Sequence, residues 1–228
     1  MKLTKIVFLT VICGLFMFGC GRQVQQASNT AQLVDNVRKK EEVNVSVLTD
    51  SSVRNILSEG LIANDCSTYE KMEEQSEIVV YGEKVGEFFR KSEVVEGSYE
   101  LMAEIEIETV IKSNGDFYKS GDRILICEDI TYYPENNLIS HMNGYQKMGN
   151  GKKYYLMLAK ERPEEENSAY YIIGGVYGKV PEDEKEEIIF ETKEESLAPE
   201  EKEKKEKWVA RNRKELTGKI TSHKCFEM

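Results

Sequence analysis

Two histidines in 228 residues leave no HExxH pair and no imidazole set for zinc. No CxxC spacing, GxSxG elbow, glycine-rich phosphate loop or EF-hand pattern occurs either. The usual sequence marks of thiol redox, nucleophilic, nucleotide and calcium chemistry are therefore missing, and neither a metal nor a cofactor is expected. Basic charge is also scarce. Lys and Arg number 31 against 41 Asp and Glu, for a net charge of −10. A chain so acidic lacks the basic face that displaces phosphate counterions, which argues against nucleic acid as a partner. The longest apolar run, residues 6–18, is broken by Thr10, Cys13 and Gly14. It falls short of the ~20 apolar residues that a membrane-spanning helix needs.

That run has a context. Lys2 and Lys5 precede it, the small Gly19 follows it, and Cys20 closes it, which is the layout of an export signal. Met17-Phe18-Gly19-Cys20 resemble the lipobox of bacterial lipoproteins. The resemblance implies that residues 1–19 are removed and that Cys20 is acylated as the mature N-terminus. The protein would then be extracytoplasmic and held on the cell membrane through lipid. Acyl chains contribute roughly 0.8 kcal/mol per buried CH₂, so two or three on one residue anchor stably. Loss of Lys2 and Lys5 with the signal takes the net charge from −10 to −12.

Downstream, residues 20–45 read as a polar tether, with a short helix over 32–40, and residues 46–192 as the folded domain. Residues 43–48 alternate enough for a peripheral first strand. Ser67-Thr68-Tyr69-Glu70 has the form of a capping box, predicting a helix that runs to about residue 76 and feeds a strand over 78–81. The clearest element is residues 98–112. Tyr99, Leu101, Ala103, Ile105, Ile107, Thr109 and Ile111 share one parity, opposite Glu100, Met102, Glu104, Glu106 and Glu108. That alternation predicts a long strand with one dry and one solvated face. Asn114-Gly115 supplies turn chemistry, and strands follow over 123–127, 152–160, 169–173 and 176–180. Gly174-Gly175 predicts a bulge or sharp bend. Residues 188–190 add an edge strand or a docked segment. Residues 193–228 read as a charged helical tail with a thin apolar stripe of Trp208, Val209 and Leu216, resting loosely on the body or projecting from it. Its pairs Glu200–Lys204, Glu201–Lys205 and Glu203–Lys207 contribute ~0.3 kcal/mol each.

Between residues 67 and 180 the order is helix, VVYG, a long alternating strand, GDRILI, a long loop, GKKYYLML and YYIIGG. Carried by 79–82, 121–126 and 151–156, it resembles the modules of netrin-type proteins and tissue inhibitors of metalloproteinases. The resemblance implies a mainly β fold: a small five- to six-stranded, OB-fold-like closed barrel with a short preceding helix and a charged C-terminal helix. The inhibitory mechanism of that family does not carry over. It uses a free N-terminal cysteine, whereas Cys20 would be acylated, and the family's disulfide framework is absent. After processing, Cys66, Cys127 and Cys225 remain. If two of them pair, Cys66–Cys127 is favoured; otherwise Cys127 is a small buried hydrophobe.

Residues 129–151 lose apolar periodicity and gather Pro134, several asparagines and Gly149-Asn150-Gly151. A long irregular connection in a compact domain is a natural place for function. Tyr132, Tyr133, His141 and Tyr145 within it are the candidate contact residues, tyrosine offering flat area with a polar tip. No catalytic residues are assigned, because no nucleophile or facing acid pair can be named. The sequence thus points to a non-catalytic lipoprotein binding an envelope protein or glycan. The alternatives are a carboxylate-based cell-wall hydrolase and a spacer docking through its tail.

Overall fold

A computed structural model describes residues 43–60, 65–115, 118–165, 168–192 and 195–226, without the side chains of 221–226. The lipobox, most of the tether and the helix expected over 32–40 lie outside those residues. Eight strands form one mixed sheet, accompanied by two α-helices. The strands are β1 (Arg54–Ser58), β2 (Ile78–Lys91), β3 (Tyr99–Ser113), β4 (Arg123–Tyr133), β5 (Leu138–Met142), β6 (Lys153–Lys160), β7 (Tyr170–Ile172) and β8 (Lys179–Pro181). The helices are α1 (Tyr69–Gln75) and α2 (Pro199–Phe226). The pairing order is β1-β5-β4-β3-β2-β6-β7, with β8 also on β6 and β7 also on β4. Only β1–β5 and β4–β7 are parallel among these pairs.

Local chemistry explains most starts and stops. Thr68, rather than Ser67, caps α1, its hydroxyl accepting the Lys71 amide at 3.2 Å. The strand expected over 78–81 continues to Lys91 and pairs with β3 along its length. Three register shifts in β2 bend this hairpin. Gly82 permits its closest approach, because a Cβ there would lie 2.5 Å from the Glu106 carbonyl oxygen.

Three expectations need correction. Residues 43–48 are not a strand; Val45–Thr49 is a 3₁₀ turn in which the Asn44 side chain accepts the Ser46 amide at 2.9 Å. That local bond offers the backbone an alternative to a ladder. The glutamate face of β3 is only partly wet. Met102 is buried with Phe88, Leu125 and Ala169 in a small second cluster, and Glu104 is buried against Arg123 at 3.0 Å. The C-terminal helix does not rest loosely. Lys205, Val209, Asn212, Leu216 and Ile220 form a buried stripe at intervals of three or four residues. Val209, Leu216 and Ile220 belong to the main core together with Met72 and Tyr177. The polar members of the stripe find acceptors for their donors, although the Asn212 Oδ1 stays buried without a hydrogen bond. Lys205 donates to the Asn143 carbonyl at 2.7 Å and Asn212 to the Tyr177 carbonyl at 3.2 Å. No helix of the described residues is long and apolar enough to cross a membrane.

Candidate functional site

Nearly half of the segment expected as an irregular contact loop is strand, the end of β4 and all of β5. Ile130 and Tyr132 extend the alternation of β4, a 3₁₀ turn over Pro134–Asn136 reverses the chain with Asn137 at φ 46°, and β5 returns along β4. The candidate residues are carried inward with it. Tyr132 packs near Phe89, ring centroids 5.7 Å apart. Tyr145 is fully buried, with the Lys179 ammonium 3.7 Å from its ring centroid. His141 is 5 % exposed and stacked on Phe190 at 3.5 Å. Its Nδ1 lies 3.0 Å from the Tyr145 carbonyl and its Nε2 3.0 Å from Asn55 Oδ1. Burial pushes the imidazole down to about 4, with Lys179 adding to the shift and the Tyr145 carbonyl opposing it. Tyr133 alone of the four is half-buried. Three of the four expected contact residues are therefore buried and offer little surface to a partner. Pairing of β4 with β5, hidden in sequence by the asparagines of the turn, is the physical reason.

Underneath lies a buried ionic network. The Lys84 ammonium, with no solvent exposure, contacts Glu128 at 2.7 Å, Glu87 at 2.6 Å and the Met148 carbonyl at 2.9 Å. The second Glu128 oxygen accepts the Met148 amide at 2.8 Å. Lys147 meets Glu87 at 2.8 Å, and Lys179 donates to the Gln146 carbonyl. Burial pulls the Lys179 ammonium down to about 8, and Lys84 pulls the same way; Glu128, Glu186 and Asp129 oppose the shift. The Tyr154 hydroxyl accepts the Gly149 amide at 2.7 Å and donates to Glu186. The chemistry is one of fastening: buried charges satisfy backbone groups over residues 146–149 that have no ladder partner.

Asp129 is the exception. Burial pushes its carboxyl up to about 6, and Glu128 adds to the shift while Lys179 opposes it. Its Oδ2 occupies the space that a Cβ on Gly175 would need, and Gly174 and Gly175 both adopt positive φ, at 67° and 57°. The double glycine thus makes the expected bend and admits the carboxylate. The folded protein holds the Asp129 proton more tightly than the unfolded chain, so stability falls as pH rises from about 4 through 6. Asp129→Asn is therefore expected to raise stability above pH 6. Because Asp129 keeps some solvent contact, the expected gain is about 1–2 kcal/mol rather than the full shift. Urea unfolding of both proteins at pH 7.5 and pH 4 checks this; the gain should vanish at the lower value.

A second charged group sits across β2, β3, β4 and the residue that follows β6. Ligand atoms of Glu100, Cys127 and Glu161 lie within 4.8 Å of one another, a set able to hold a thiophilic cation. Arg90 already supplies the positive charge. Its guanidinium donates to both Glu161 oxygens at 2.8 Å and to Glu100 at 2.6 Å. Burial, then Glu100 and Glu161, push the Cys127 thiol well up, which leaves it a poor ligand. Cys127 is a free thiol, so the favoured Cys66–Cys127 pairing does not form.

A groove of about 660 Å³ lies beside β1. It is lined by Leu57, Ser58 and Gly60, by Asn143 and Gly144, and by Glu195, Leu197 and Glu201. Asn143, at φ 52°, fixes the corner: its side chain accepts the Gly60 amide at 3.0 Å and donates to the Gly60 carbonyl at 3.2 Å. The turn after β5 is thus the part of residues 129–151 that lines the groove. The chain matches no protein-family model and no curated protein.

Proposed function

We propose that this protein is a lipid-anchored extracytoplasmic lipoprotein whose β domain is a non-catalytic binding module for an envelope protein or glycan. Strands β2, β3, β4, β7 and β6 form its core as an OB-fold-like closed barrel. The closure is supported by a ring of pairings: β2–β3, β3–β4, β4–β7, β7–β6 and β6–β2 return to their starting strand. The anchor is Cys20, set apart from the domain by the polar stretch that follows it.

The observation that carries the binding reading is the use made of the buried charges. Glu128, Lys84 and Lys179, the groups that an acid–base mechanism would recruit first, are taken up in pairing and in holding residues 146–149. A carboxylate hydrolase needs two acids facing each other across a substrate, with one kept protonated. Glu128 points instead at a lysine. The spacer reading draws less support, since α2 spends its apolar stripe on the core of its own domain.

Two measurements test the proposal. Intact-mass analysis of the protein from membranes should find residue 20 as the N-terminus carrying diacylglyceryl and acyl groups; an unmodified Cys20 rejects the anchor. Cross-linking of the tagged protein in intact envelopes should yield a saturable adduct with one protein or glycan. Turnover of cell-wall fragments, abolished by Asp129→Asn, would reject the non-catalytic reading.

A further inference from the structure

We propose that the groove beside β1 receives an extended, lysine- or arginine-bearing peptide segment, added as a strand to the free edge of β1. The inference rests on the binding reading above and names the partner chemistry for it.

The edge is open in a specific sense. β1 pairs with β5 in parallel register, Arg54 opposite Leu138 through Ser58 opposite Met142. The Arg54 amide donates to the Asn137 carbonyl at 3.0 Å, and the Ser58 carbonyl accepts the Asn143 amide at 2.6 Å. Arg54, Ile56 and Ser58 therefore turn their backbone groups toward β5, and the alternation of a strand turns those of Asn55 and Leu57 the other way. The outward Leu57 amide is met by a side chain: Glu195 Oε2 accepts it at 2.7 Å. A carboxylate thus stands where the carbonyl of a neighbouring strand would stand, and an incoming peptide carbonyl can replace it. Such edges are the template for strand addition.

Charge selects the occupant. Among the described residues, Glu59, Glu195 and Glu201 line the groove and no basic side chain does. Lys205, on the same helix as Glu201, is buried and bonded to the Asn143 carbonyl at 2.7 Å and to Glu201 at 2.7 Å. Apolar contact comes from Leu57, Leu197 and Ala198. A segment alternating basic and apolar side chains would set its cations against the three carboxylates while its main chain pairs with β1. An acidic segment would meet like charge.

The probe is a short fluorescent peptide alternating lysine and valine, with glutamate in place of lysine as its control, titrated against the full chain in detergent. Saturable binding of the basic peptide alone, with shifts in the Asn55 and Leu57 amide resonances, is expected. Leu57→Pro removes one outward amide and no bond to β5, a change that edge strands tolerate. It should weaken binding at least tenfold, as should Glu59→Lys with Glu201→Lys. No binding, equal binding of both peptides, or affinity unchanged in Leu57→Pro overturns the inference. Should the envelope cross-link nevertheless persist in Leu57→Pro, the binding reading stands and this surface alone is rejected.

Discussion

Methionine in place of Lys84 is expected to cost about 3–5 kcal/mol of stability, since it strands a buried carboxylate without its cation. Glu128 is as inaccessible as Lys84 itself, with both side chains at zero exposure. Its remaining bond, from the Met148 amide at 2.8 Å, does not replace a cation. Glu87 suffers less, because Lys147 still reaches it at 2.8 Å. Loss of the Lys84 bond to the Met148 carbonyl adds an unpaired buried acceptor and loosens the chain over residues 146–149. The double variant Lys84→Met with Glu128→Gln should recover at least half of the loss, since its amide leaves no charge behind. Guanidinium unfolding of the two single variants and the double variant measures the coupling. A Lys84→Met protein within about 1 kcal/mol of the parent would show that the network is incidental to the fold.

The same network shows what the sequence disclosed and what it withheld. β3 was legible because seven residues of one parity are apolar or nearly so, and β6 because KYYLMLAK has no other sensible conformation. The start of α1 was legible to within one residue, because the capping hydroxyl of Thr68 meets an amide only three positions on. Lys84 and Glu128 were not legible, because their bond spans 44 positions along the chain and each alone reads as a surface charge. One signal was available. Ile124, Ile126, Ile130 and Tyr132 are the buried parity of β4, and Glu128 falls in that row. A carboxylate at an apolar parity announces a buried partner, though not which one. Asparagines misled in the opposite direction. Asn136, Asn137 and Asn143 mark two tight turns around β5, with positive φ at Asn137 and Asn143, and not a continuous loop. The groove was hidden for a third reason: its walls come from β1, the turn after β5 and the strap before α2, distant in sequence and without a shared motif.

Helix α2 provides the other large expected effect, and its origin is packing alone. Its sequence is rich in Glu and Lys, and its intrahelical pairs, such as Glu201–Lys205 at 2.7 Å and Glu203–Lys207 at 2.5 Å, would form equally well in a free helix. What fixes it to the sheet is a single file of side chains, and polar Lys205 and Asn212 interrupt its apolar members. Leu216 is fully buried, with Ile220 one turn along. Around them Asn212 holds the Tyr177 carbonyl, Arg213 the Pro181 carbonyl at 2.9 Å, and Lys219 lies 4.8 Å from the Tyr69 ring centroid. These polar bonds depend on the helix staying seated, which leaves Leu216 the largest apolar contribution in so thin a stripe. Leu216→Ala should therefore cost about 2–5 kcal/mol, whereas Lys204→Ala on the exposed face should cost under about 0.5 kcal/mol. Hydrogen exchange separates two ways of paying that loss. If the helix is a semi-independent layer, its amides over residues 205–220 exchange early in Leu216→Ala while β2, β3 and β6 keep their protection. If it belongs to the same cooperative unit, as its place in the main core requires, all of these amides accelerate together by the factor that the stability loss dictates. Early exchange confined to α2, or a Leu216→Ala protein as stable as its parent, would refute the docked arrangement.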